Sequence, residues 1–361
     1  MSNEDITYEY FGTSYSVDDD FEINWEGTGI PGRISYYMTD KNLNFKYCYS
    51  IESIPNPSFM AMNKSGDTWF ACSETTTGGK VGVYSFFPWE GNRPAFIEEK
   101  DTIDVDVKQI CHISYSNKHG VLLGAAYSSG DVFTIGLNGD KFTSVLSQLN
   151  NNSCDDSRAA HAHWIVPDIS ENFAACADLG HDRIYVYKFI DGKLCRNDEF
   201  PYLELKKGDG PRSIAFSRTN DLLYVVTEFS SMLLTLSYDP LTGELRELDR
   251  RSILPDGFSG AATGSGLIVT YNNKFIYTSC MGADSIALFE LDESGRILRK
   301  KADLSCFGKG PRFINITYNG IIFMLANQIT NTFVVIEADP DTGLYTGRYG
   351  LTPAVGANFF L

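Results

Sequence analysis

Four side chains make a case for chemistry before anything is known of the fold: His163, Arg212, Glu228 and Arg312. A neutral imidazole near pH 7 can take a proton from water and hand it back. A guanidinium forks onto a carboxylate or a phosphate, and serves the oxyanion of an acyl transfer equally well. A carboxylate beside them can orient either group. The set suits a site for a small molecule, and for an anionic one in particular. Each residue also has a purely structural reading, the His as a hydrogen-bonded spacer and the Arg–Glu pair as a salt bridge between repeats. Which reading applies depends on what brings residues so distant in sequence to one place.

A repeat does this. An apolar strand, a polar residue and a second β-rich strand recur seven times along the chain. The first strands end at Tyr15, Glu74, Tyr127, Asp178, Glu228, Met281 and Gln328, with spacings of 59, 53, 51, 50, 53 and 47. A second register opens each repeat at Pro57, His112, His163, Arg212, Gly266 and Arg312, with spacings of 55, 51, 49, 54 and 46. A beat of about 50 residues is the length of one four-stranded sheet. Each second strand runs into a turn cluster, such as Asp191-Gly192, Asp239-Pro240-Leu241-Thr242-Gly243 or Asp339-Pro340-Asp341-Thr342-Gly343. There Asp caps the turn, Pro fixes φ and Gly takes the positive-φ position. The remaining clusters are at 39–42, 89–92, 138–140 and 292–295.

The expectation is therefore an all-β protein, a seven-bladed β-propeller of four-stranded antiparallel blades forming a single domain over 1–361. Ring closure should pair the two ends of the chain in one blade, because an open ring leaves strand edges unpaired. Residues 145–160 read as a long loop, and 16–31 as an insertion in blade one. The second register should form a ring around the channel, with His163, Arg212, Glu228 and Arg312 at one mouth. His112, Glu74, Tyr127, Asp178 and Gln328 are further substrate-binding candidates on its rim.

Composition narrows the function classes. With Lys+Arg 30 against Asp+Glu 46, the net charge is −16, and such a surface repels a phosphodiester backbone, so no nucleic-acid partner is expected. No apolar run approaches a membrane span, and the acidic, polar start lacks a signal-peptide pattern, so the expected compartment is the cytoplasm. The eight Cys are scattered without a CxxC pair and imply reduced, packed thiols rather than disulfides or zinc. No Gly-x-Ser-x-Gly elbow, P-loop or HExxH is present. No metal or organic cofactor is expected, and the partner is a small molecule.

The motifs then resemble one family. His161-Ala162-His163-Trp164 with Asp178-Leu179-Gly180-His181-Asp182-Arg183-Ile184-Tyr185 is similar to the fourth blade of the seven-bladed lactonase propellers. Gly210-Pro211-Arg212 with Thr227-Glu228-Phe229-Ser230-Ser231, and Gly310-Pro311-Arg312-Phe313 with Ala326-Asn327-Gln328, resemble later blades, over a span from about residue 10 to the end. That family includes bacterial 6-phosphogluconolactonases and fungal carboxy-muconate cyclases. The resemblance implies a site of one His, two Arg and one Glu. The His falls on His163, the first Arg on Arg212 and the Glu on Glu228. The second Arg does not carry over, because its stretch reads Ser279-Cys280-Met281-Gly282. Ser213 stands where the family has His, and Gly266 where it has Asp. The resemblance thus implies a lactonase-like hydrolase, or a related lactonising enzyme, with an altered clamp, acting on a small lactone or carboxylate. Two alternatives stay open. One is a non-catalytic propeller that binds a small ligand or a protein. The other is a calcium-dependent lactonase of the regucalcin type, which would use Glu74, Asp178 and Glu228.

Overall fold

The computed structural model describes residues 6–18, 22–87, 94–153, 157–219 and 221–360. Seven antiparallel sheets follow one another along the chain. Blade two consists of Pro57–Met62, Thr68–Ser73, Gly79–Phe87 and Phe96–Val105. Blade three runs Ile110–Ser116, Val121–Ala126, Asp131–Asn138 and Lys141–Asn150. Blade four runs Ala162–Pro167, Phe173–Asp178, Arg183–Ile190 and Lys193–Arg196, with Tyr202–Glu204 as an extra strand on its third. Blades five, six and seven open with Pro211–Phe216, Thr263–Val269 and Pro311–Ile316. Blade one is closed as expected. The C-terminal Ala357–Phe360 is its innermost strand, pairing Thr13 with Phe359 and Gly12 with Phe360. The 3-10 turn Asn151–Ser153 is the only helical element among the described residues.

The blade interiors follow from their sequences. Second strands such as Leu222–Thr227 and Ile322–Asn327 are buried at every position, because each is covered by a neighbouring blade on both faces. The core is accordingly distributed between blades. One cluster packs Phe173, Ile184 and Val186 of blade four on Leu223, Val225 and Leu234 of blade five. Fourth strands, such as Lys141–Asn150, lie at the rim and carry the polar residues. Reading 145–150 as loop was therefore an error. Those residues pair with Asp131–Ile135, and their polarity reflects an outer edge strand rather than the absence of a strand.

The turns are built as their chemistry requires. The carboxylates of Asp40, Asp239, Asp292 and Asp339 accept the N–H two residues on, at 2.8–2.9 Å. Two of these turns also couple blades. The carbonyl of Gly295 accepts the hydroxyl of Tyr224 at 2.6 Å, and that of Gly343 accepts Tyr277 at 2.7 Å. The turn expected at 89–92 lies outside the described residues.

Candidate functional site

Every inner strand starts at the same end of the channel, and every second strand finishes there. What aims the side chains is a β-bulge at the same point of each blade. The register slips between Pro57 and Phe59, Ile110 and His112, Ala162 and Trp164, Pro211 and Ser213, Gly264 and Leu267, and Pro311 and Phe313. A bulge re-aims the extra residue it inserts. The inserted residues are Ser58, Cys111, His163, Arg212 and Arg312, joined by Asn358 at the equivalent slip in blade one. All six line one small cavity of about 20 Å3, room for a single water.

The residue before the bulge is set by backbone geometry. Glu74, Tyr127, Glu228 and Gln328 donate their backbone N–H groups to the carbonyls of Asn56, Gln109, Gly210 and Gly310 at 2.7–2.9 Å. Each of these four acceptors has positive φ, between 46° and 68°. Gly210 and Gly310 meet that demand without strain, which explains the glycine in both Gly-Pro-Arg stretches. At Gly210 a Cβ would also stand 2.5 Å from the Phe229 ring.

Two ion pairs fix the guanidinium groups. Arg212 donates Nε to Oε2 of Glu228 at 2.9 Å, with its own side chain only 4% exposed. Its terminal nitrogens form no bond to a described residue and border the cavity. Arg312 donates Nε to Oδ1 of Asn358 at 2.7 Å and Nη2 to the Tyr15 hydroxyl at 3.0 Å. The Tyr15 hydroxyl in turn donates to Glu74, whose carboxylate lies 3.7 Å from Arg312. Burial, reinforced by Glu74, holds the Tyr15 phenol protonated well above its usual range, so it acts as a fixed link. Burial lowers the Arg212 pKa, and the charge of Arg312 lowers it further, which identifies the two guanidiniums as near neighbours.

His163 lies among these cations. Burial first, then the charges of Arg212 and Arg312, push its pKa well below the ordinary imidazole value, so the ring is neutral at pH 7. Its Nδ1 is buried with no hydrogen-bond partner. An orphaned donor or acceptor inside a ring of otherwise paired groups marks a place for a ligand or a water. The ring of Tyr127 meets His163 edge-on at 5.9 Å and stacks on His161 at 4.4 Å. The cavity floor is aromatic, with Phe59, Trp164 and Phe313 lining it from below.

The residues expected from sequence divide accordingly. His163, Arg212, Arg312 and Glu74 line the cavity, Glu228 is bonded to Arg212, and Tyr127 abuts His163. His112 does not belong to the ring. The bulge in blade three places Cys111 there and drops His112 one layer down, stacked on Trp164 at 3.8 Å and below the floor. Gly266 lies with Ser265 inside the slip of blade six and lines the cavity, where a Cβ would meet Ile314 at 2.8 Å. Asp178 is not a rim ligand. Its carboxylate accepts the backbone N–H groups of His161 and His181 and the side chain of Asn151. Gln328 lines a separate cleft with Val17 and Ile329. Met281 is absent from the cavity wall.

Sequence reasoning missed Tyr15, Ser58, Cys111 and Asn358. Tyr15 already stood in the register of strand ends, and that position was the available signal. Trp25, from the blade-one insertion, packs edge-on against Tyr15 at 5.2 Å and covers it. The acidic rim does not form a metal centre: Glu74, Asp178 and Glu228 are each engaged separately. Among the described residues no group of three or more His, Cys, Asp or Glu could hold a metal ion.

Comparison with known proteins places this geometry. Residues 28–350 match the family described as lactonase, 7-bladed beta-propeller. The chain is 30% identical over 296 residues to the 6-phosphogluconolactonase of Bacillus subtilis, covering 81% of this chain and 82% of that protein. The structure of a periplasmic gluconolactonase from Pseudomonas aeruginosa superposes with a TM-score of 0.83 at 20% identity, covering 98% of each chain. A putative 6-phosphogluconolactonase from Bacteroides fragilis gives 0.82 at 18% identity, over all of this chain and 98% of that one. At such identities these two likenesses bear on the fold. No described helix is long and apolar enough to cross a membrane.

Proposed function

Because the chain belongs to the seven-bladed β-propeller lactonase family, we propose that its bulge ring opens the ring ester of a sugar-acid lactone of the 6-phosphogluconolactone type. The observation that carries this reading is the neutral His163, with an unpartnered Nδ1, in one cavity with the buried Arg212 and the partly buried Arg312. Water attacks the lactone carbonyl carbon as its proton passes to the imidazole of His163. The carbonyl oxygen becomes an oxyanion facing the free nitrogens of Arg212 and Arg312. Collapse expels the ring oxygen, which takes the proton back from the imidazolium, and the product is an open hydroxy acid. Glu228 is a positioning residue for Arg212, and Tyr15, Glu74 and Asn358 position Arg312. A cavity of about 20 Å3, room for one water, takes the carbonyl oxygen and leaves the sugar ring at the mouth.

The lactone-forming chemistry of the carboxy-muconate cyclases is the related possibility: there a carboxylate oxygen adds to a conjugated diene, Arg212 and Arg312 hold the substrate carboxylates, and a proton is delivered to carbon. A binding-only reading rests on one specific observation, Met281 in place of a family arginine. The seven described cysteines are free thiols, which suits a reducing cytoplasm. Turnover of a panel of phosphorylated and unphosphorylated lactones, with and without chelator, tests the proposal. Hydrolysis above the spontaneous rate and insensitive to chelator supports it. No turnover of any lactone by folded protein supports the binding reading.

A further inference from the structure

Beyond the aromatic floor, towards the opposite mouth, the channel holds a second cavity of about 410 Å3 that the proposed hydrolysis does not use. Its walls come from the inner strands of blades two to six and are largely apolar, with Ala61, Val166, Ala215 and Ile268 among them. Phe59 and Trp164 line both cavities and form the partition between them. That volume falls in the range of small-molecule sites.

Two polar features interrupt the apolar wall. His112 accepts the backbone N–H of Ile165 on Nδ1 at 3.3 Å, so its proton sits on Nε2. The ring is 2% exposed, burial keeps it neutral, and Nε2–H finds no acceptor among the described residues. His112 lines the cavity, and an open N–H on a largely apolar wall suits an acceptor brought by a ligand. The second feature is Arg218, the only charged side chain on the wall among the described residues. It is exposed, lies 4.4 Å above the Tyr271 ring, and forms no ion pair with a described carboxylate. None of the described acidic residues lies on this wall.

We propose that this cavity binds a small amphipathic oxo-carboxylate, with its carboxylate on Arg218, its hydrocarbon body against Trp164 and Ile268, and a carbonyl oxygen accepting from His112 Nε2–H. The site is separate from the bulge ring and does not depend on the lactonase reading. Calorimetric titration of the full chain with 7-oxooctanoate and octanoate tests it. The oxo acid should bind one per chain and more tightly than octanoate. Arg218→Ala should weaken it about five- to tenfold, the loss of one exposed charge contact, with lactone turnover unchanged. His112→Phe should abolish the preference for the oxo acid, and Arg212→Ala, in the other cavity, should leave binding as it is. Absence of binding to the wild type at millimolar ligand would overturn the proposal. So would an affinity unchanged in Arg218→Ala, or binding lost in Arg212→Ala. Arg218 is exposed, so its variant keeps the test decisive if the buried His112 variant fails to fold.

Discussion

Arg212 and Glu228 meet Nε to Oε2 at 2.9 Å, one at the bulge of an inner strand and the other just past the end of the strand beside it. The pair spans 16 residues of one blade, so the hairpin itself sets the guanidinium angle. Glu228→Gln keeps the shape and removes the charge. Arg212 is nearly fully buried, so the loss leaves a poorly compensated cation, and a stability drop of roughly 1–3 kcal/mol is expected. Turnover should fall about ten- to a hundredfold, chiefly in kcat/KM. Thermal denaturation alongside steady-state kinetics checks both, and unchanged kinetics would remove Glu228 from the site.

The histidines set the response to acid. In the folded chain the pKa values of His163 and His112 are well below normal, chiefly through burial, so the unfolded chain binds their protons first. Their contribution is in place above about pH 6.5 and is lost as pH falls below it, by up to about 1.4 kcal/mol per unit for each. Denaturant midpoints between about pH 7.5 and 5 should fall, and His163→Asn should flatten the slope. The acid limb of kcat/KM should likewise lie below the usual histidine range, because His163 stays neutral there.

Tyr15→Phe removes the hydroxyl that accepts from Arg312 and donates to Glu74. Arg312 then keeps Asn358 and a distant carboxylate. Substrate binding should suffer more than the chemical step, with KM rising about tenfold, as expected for one charge-assisted hydrogen bond. An unchanged KM would mean that Asn358 suffices to aim Arg312.

Met281→Arg restores the residue that the family resemblance leads one to expect. Met281 lies outside the cavity wall and is partly exposed, so the change should fold normally. Turnover of a phosphorylated lactone should rise by about one power of ten, with little effect on an unphosphorylated one. Equal effects on both substrates would show that the position does not read the phosphate.

The fold was legible because the apolar strands and the Asp/Gly turns repeat on one period of about 50 residues, and each signal reports local physics. The residues read as ending the first strands lie within one residue of the observed ends, Asp178 and Met281 without error. The edge strand Lys141–Asn150 was lost because an outer strand need not be apolar. In the site, His163, Arg212 and Arg312 were found because they share a register. His112 was misplaced by one residue, because a bulge in the inner strands inserts a residue that no pattern of alternation reveals. Asn358 was out of reach, because it joins the ring only through closure by the last strand.

The central claim is that His163 moves the proton while Arg212 and Arg312 hold the oxyanion. Initial rates of lactone opening by wild type and His163→Gln, corrected for spontaneous hydrolysis and measured on protein of matched thermal stability, test it most directly. The expected result is wild-type turnover above background and a loss of roughly a hundredfold or more in the variant, with KM little changed. Equal rates for the two proteins would contradict the account.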